Sequence, residues 1–141
     1  MTKNNYCHLL IIPRSRDLTF NASELLNFGR MLPAEVYYFK QMVNGVRREG
    51  LPYLSFGKVN FIDDLPVEKL KSWVERCLDV APLHIWQKYQ VTLQVCLFNE
   101  GENDTGICLS SRVVELLSLI GGEVDIASER VYAGNRMSSA S

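Results

Sequence analysis

Residues 91–132 read VTLQVCLFNEGENDTGICLSSRVVELLSLIGGEVDIASERVY, and the order of patterns within them decides the fold. Val91, Leu93, Val95 and Leu97 alternate with Thr92, Gln94 and Cys96, the period of a half-buried strand. A polar, glycine-bearing loop follows from Asn99 to Gly106. Ser110 is placed as the N-cap of a helix, with Leu109 and Val114 as its hydrophobic staple. Gly121-Gly122 stops that helix, and Val124 and Ile126 open a closing strand.

The pattern extends upstream. Tyr6–Ile12 is apolar and β-branched and halts at Pro13, as a buried strand does. Asn21 and Glu24 form a capping-box arrangement for a first helix, with Phe20 and Leu25 as its staple; Gly29 weakens this helix and Pro33 stops it. Glu35–Gln41 is aromatic and strand-like. Asn44-Gly45 between Val43 and Val46 predicts a type I′ hairpin, because that turn needs positive φ at both central residues. The returning strand is expected over Tyr53–Ile62, with Gly57 as a bulge. Asp64 is the expected cap of the next helix, which carries Pro66 in its first turn. Leu70, Trp73, Val74, Cys77, Leu78 and Ala81 recur at helical spacing on one face, and Pro82 kinks or restarts the helix before Trp86.

The resulting order, β-α-β-β-α-β-α-β, predicts an α+β fold: one mainly antiparallel sheet with helices on one face. Its first six elements match a ferredoxin-like β-α-β-β-α-β core, and the last two form a C-terminal α-β extension. Residues 1–132 are expected to form one domain and 133–141 a flexible tail.

The 141-residue chain has the apolar and charged fractions of an ordinary globular protein, and no apolar run long enough to span a bilayer. The apolar run Leu9–Ile12 is too short for a signal-peptide core, which makes a cytoplasmic setting the expectation. Cys7, Cys77, Cys96 and Cys108 show no C-x-x-C pairing, and the first three fall within apolar patterns as buried free thiols. Charge is unevenly spread. Residues 1–60 hold eight basic and four acidic side chains, whereas residues 61–141 hold seven basic and twelve acidic ones. Such asymmetry steers charged partners.

No catalytic constellation is readable, so no enzymatic role and no cofactor are expected. Counted from Glu100, the sixth and twelfth positions of an EF-hand loop would hold Thr105 and Ser111 instead of Gly and Glu, so no metal is expected there. His8 follows Cys7 on a strand, and their side chains point to opposite faces. Residues 54–61, LSFGKVNF, partly echo the RNP1 pattern of RNA-binding sheets. Phe56, Gly57, Val59 and Phe61 fit it, while Leu54, Ser55 and Lys58 depart from it. Tyr37, Lys40, Arg47, Arg48, Phe56 and Lys58 are the candidate nucleic-acid residues of that pattern and its neighbouring hairpin. The near-neutral total charge argues against strong phosphate binding and makes nucleic acid the alternative reading.

The segment 91–132, with VTLQVC, the glycine-bearing loop, Leu109-Ser110, Leu116-Leu117, GEVDI and Tyr132, resembles an uncharacterised bacterial family, the domain-of-unknown-function family numbered four-two-seven-nine. Some members of that family are similar in context to immunity proteins of toxin systems. The resemblance implies a small cytosolic α+β protein that neutralises a toxin by direct binding, and it carries no catalytic residue. A basic toxin domain would be met by acidic side chains. The candidates are Asp63, Asp64, Glu68, Glu75, Asp79, Glu100, Glu102 and Asp104.

Overall fold

Two apolar stripes, one with the period of a strand and one with that of a helix, build the body of this protein by burying each other. The computed structural model describes residues 4–14, 21–100 and 109–131, with backbone only at 99, 100, 130 and 131. In chain order the elements are β1 (Asn5–Pro13), α1 (Ala22–Met31), β2 (Glu35–Val43), β3 (Val46–Ser55), β4 (Val59–Phe61), α2 (Val67–Val80), α3 (Leu83–Trp86), β5 (Tyr89–Glu100), α4 (Ser111–Ser118) and β6 (Glu123–Val131). The sheet has six strands in the order β2-β3-β1-β5-β6, and β4 also pairs with β1. Every pairing is antiparallel except β5–β6, which is parallel. The fold is α+β on a mainly antiparallel sheet, and β6 makes that sheet mixed.

Along β1 the odd positions Cys7, Leu9 and Ile11 are buried and join Leu54 of β3 and Leu93, Val95 and Leu97 of β5. Leu25 and Phe28 of α1 and Leu70, Trp73, Val74 and Cys77 of α2 close over that face. Gly29 has a specific part in this closure. A Cβ there would lie 3.0 Å from Val36 Cγ2 and 3.1 Å from Leu54 Cδ2, so the missing side chain lets α1 approach the sheet. The helix runs on to Met31 despite that glycine.

Local signals and tertiary outcomes diverge at several points. The Asn21 carboxamide accepts from the backbone N–H of Ser23 and Glu24, as an N-cap does. The Glu24 carboxylate instead serves long-range partners, accepting from the Tyr89 hydroxyl and lying 3.4 Å from the Lys88 ammonium. Phe20, its expected staple residue, lies outside the described residues. Asn44 and Gly45 hold φ of 52° and 77°, the type I′ geometry, and Val43 pairs with Val46. The returning strand starts directly at Val46, not Tyr53, and breaks at residues 56–58, where Gly57 takes φ 85°. Asp64 does not cap α2. The helix begins at Val67 with Pro66 at the cap position, which leaves Asp64 before it on an exposed bend. Ser110 does cap α4, accepting from Val113 N–H, and Gly121 ends its last turn at φ 65°. Val114 stays 52% exposed while Leu109 packs on the core, so the expected staple does not bury both partners.

Trp86 joins the layers. Its indole N–H donates to the carbonyls of Cys77 and Ala81, both at 2.9 Å, while its ring lies 4.7 Å from that of Phe28. Trp73 is 3% exposed and packs against Phe56. Trp73→Ala is expected to cost about 3–5 kcal/mol in urea unfolding, and a change below ~0.5 kcal/mol would show that the site collapses without loss. Trp86→Phe keeps a ring but removes the donor from a buried carbonyl, so about 1–3 kcal/mol should be lost in the same measurement.

Candidate functional site

The second face of the sheet, turned away from α1 and α2, carries side chains of another character. Strand alternation puts Tyr6 and His8 of β1, Tyr37 and Phe39 of β2, Tyr53 and Ser55 of β3 and Gln94 of β5 on this side. These strands lie side by side, so residues from 6 to 94 meet. Together with Gly57 and Lys58 from the break between β3 and β4, all of these except Phe39 line a hollow of about 560 Å³.

A polar relay crosses the floor. His8 Nε2 lies 2.6 Å from Gln94 Oε1, and His8 Nδ1 lies 3.3 Å from Ser55 Oγ. A carbonyl oxygen only accepts, so Nε2 carries the proton and Nδ1 is left to accept from the Ser55 hydroxyl. The Gly57 N–H donates to the same Ser55 oxygen at 3.2 Å. Burial pushes the His8 pKa below its ordinary value, the Gln94 hydrogen bond opposes this, and the nearby Lys58 charge adds to the lowering. The imidazole is therefore neutral at neutral pH.

The walls are aromatic. Tyr37 and Tyr53 stack with centroids 5.8 Å apart and planes 25° from parallel, and Phe39 continues the row 4.5 Å from Tyr53. The Tyr37 hydroxyl donates to Glu35 at 2.7 Å, which raises its pKa. Across the hollow the Lys58 ammonium sits 4.5 Å above the Tyr6 ring, a cation–π contact. Tyr6 also contacts Cys96, and that hydrogen bond raises the tyrosine pKa most. Cys96 is thus half-buried on this face and not a core thiol, whereas Cys7 and Cys77 are buried free thiols. Burial pushes Cys7 up to about 11 and Cys77 to about 12, so neither is a thiolate at neutral pH.

The candidate nucleic-acid residues of the sequence are divided by the structure. Tyr37 and Lys58 do line the hollow. Phe56 is 7% exposed and faces Trp73 in the core, so its ring is not presented for stacking, contrary to the RNP1 echo. Ordinary strand alternation is the reason: Phe56 stands two residues after Leu54, on the same core-facing side, ahead of the break at Gly57. Arg48 pairs with Gln41 on the hairpin. Lys40 and Arg47 lie on its reverse side around a smaller hollow of about 340 Å³ that also includes Met42.

The acidic candidates do not form a patch. Asp63 and Asp64 occupy the exposed bend before α2. Glu68, Glu75 and Asp79 are exposed on α2 but share that helix with Lys69, Lys71 and Arg76, and Glu68 lies 3.4 Å from Arg112 of α4. Glu100 ends β5, its side chain undescribed, and Glu102, Asp104 and most of the glycine-bearing loop fall outside the described residues. Among the described residues no group of three or more His, Cys, Asp or Glu side chains is placed to hold a metal ion.

Sequence alone does not mark His8, Ser55, Gln94, Tyr6 and Tyr53 as site residues. Their signal was the off-core half of each strand's alternation, Tyr6 with His8 and Thr92 with Gln94, which only strand register can bring together. No protein-family model, curated protein or solved structure matches the chain.

The lowered His8 pKa has a stability consequence. The unfolded chain protonates its histidine first as pH falls, so the His8 contribution is complete above about pH 6.5 and is lost as pH drops through the lower folded value. Urea midpoints measured across this range should fall less steeply in His8→Gln than in the parent chain. An equal or steeper fall in the variant would contradict the assignment.

Proposed function

We infer that this chain is a binding protein whose partner is another protein, taken along the β2–β3 hairpin. The observation that carries this is the hairpin's exposed apolar surface. Only Leu54 and Ser55 of β3 pair with β1, so from Val46 to Tyr53 the hairpin is a two-stranded ribbon running beyond the sheet. A ribbon of two strands is marginally stable by itself in water. This one nevertheless exposes Tyr38, Phe39, Met42 (64%), Val43, Val46 (54%) and Leu51. Apolar exposure of this kind marks interaction surfaces, and among the described residues β2 is an edge strand of the sheet.

The role we propose is neutralisation of a bacterial toxin in the cytoplasm. It rests on the resemblance of residues 91–132 to the family with immunity-protein contexts. We further propose a ferredoxin-like core extended by α4 and β6, which the antiparallel run β2-β3-β1-β5 supports. Among the described residues no helix is long and apolar enough to cross a membrane. The mixed charge of α2 favours recognition through the hairpin over recognition through acidic residues.

The test is co-expression with the product of the adjacent gene, scored by cell survival and by affinity of the purified pair. The double variant Met42→Ser/Val46→Ser should weaken binding at least about tenfold, with an unchanged urea midpoint. Reversing Glu68, Glu75 and Asp79 together should leave affinity within about twofold. The opposite pattern, with the acidic variant inactive and the hairpin variant intact, would return recognition to α2.

A further inference from the structure

We propose that the hollow on the second face is a binding site for a nucleotide carrying a single phosphate, with its base laid on the tyrosines and its phosphate met by Lys58. This goes beyond capture of a protein by the hairpin and concerns residues inside the ribbon's base. The volume of about 560 Å³ falls in the range of small-ligand sites, roughly 300–1,000 Å³.

The chemistry of the lining narrows the ligand. Among the described residues it contains no Leu, Ile, Val or Met, so it offers little to an acyl chain or a sterol. It offers instead aromatic rings and hydrogen-bonding groups. The Tyr37 ring, stacked on Tyr53 and exposed, presents its outer face as a surface on which a heteroaromatic base stacks. At the floor, Gln94 Oε1 is already bonded to His8, which leaves the Gln94 amide N–H groups as donors for a ring carbonyl or ring nitrogen.

The anion site follows from Lys58. Among the described residues its ammonium faces the Tyr6 ring and no carboxylate, so its charge is not neutralised by a salt bridge. Gly57 beside it has φ 85° and open space where a Cβ would stand, which leaves the backbone accessible next to the cation. Two carboxylates act on residues of the lining without belonging to it: Glu35, which accepts from Tyr37, and Glu129 of β6, whose charge acts on Tyr6. They disfavour a polyphosphate and leave room for one phosphate. The same chemistry is supplied by a free nucleoside monophosphate or by one unit of a single-stranded RNA. Phe39, next in the aromatic row, would receive a neighbouring base of such a strand.

The experiment is an amide NMR titration of the full chain with uridine, UMP, AMP and a short oligouridylate. Shifts confined to residues around Tyr6, His8, Tyr53 and Lys58 are expected. Lys58→Glu should weaken UMP about tenfold while leaving uridine unchanged, and Tyr53→Leu should weaken both by a similar factor. Met42→Ser, outside the hollow, should change neither. An oligouridylate binding more than about tenfold tighter than UMP would assign the site to single strands, and equal affinity would assign it to the free nucleotide. No shifts at millimolar nucleotide, shifts mapping elsewhere, or affinities indifferent to Lys58→Glu would overturn the proposal. If Tyr53→Leu does not fold, Tyr37→Leu at its exposed neighbour replaces it. Failure here leaves partner capture by the hairpin standing, because Met42 and Val46 lie outside this site.

Discussion

The indole of Trp86 holds the helix layer to the sheet, and much of the architecture depends on that contact. Helix α2 ends at Val80, and Pro82, which has no N–H, follows the Ala81 cap. The Cys77 carbonyl at this end accepts from the Ala81 N–H. The Trp86 N–H bonds to it as well and to the Ala81 carbonyl, from a short helix that the chain forms for one turn only. The same ring packs on Phe28 of α1 and Tyr89 of β5, and Tyr89 in turn donates to Glu24 of α1. One side chain thus satisfies a helix terminus and places three elements against one another.

From this arrangement follows the difference between the two faces of the sheet. With α1 and α2 clamped on the odd face of β1, the other face combines buried Leu10 with polar and aromatic side chains. Around the hollow it carries Tyr6, His8, Tyr53 and Gln94. The relay from Ser55 through His8 to Gln94 joins three adjacent strands and consumes most of its own hydrogen-bonding capacity. A network so internally satisfied orders the surface.

The hairpin is the counterweight to this ordered body. Its register shift between Tyr38 and Lys40 lies where Gly50 faces the Phe39 carbonyl, and a Cβ there would stand 3.0 Å from that oxygen. Beyond it the ribbon leaves the sheet with apolar side chains on both sides. Asn44-Gly45 specifies the turn, and among the described residues Met42, Val43 and Val46 beside it stay exposed.

The sequence by itself determined whatever depends on near neighbours. The I′ turn at Asn44-Gly45, the caps at Asn21 and Ser110, the stop at Gly121, the apolar face of α2 and the alternation of β5 all follow from residues within a few positions of one another, and each is present. Tertiary structure decided what depends on distant partners. Gly29 reads as a helix weakener, but its meaning is the close approach of Val36 and Leu54; Glu24 reads as half of a capping box, but Tyr89 and Lys88 claim its carboxylate. Phe56 belongs to the core because it shares the inward face with Leu54, and only the packing of the helices on the sheet decides which face is inward. The hollow was legible least of all. It needs β1, β2, β3 and β5 in one register, and which strands lie side by side is set by the packing of the whole layer, a quantity no local pattern encodes.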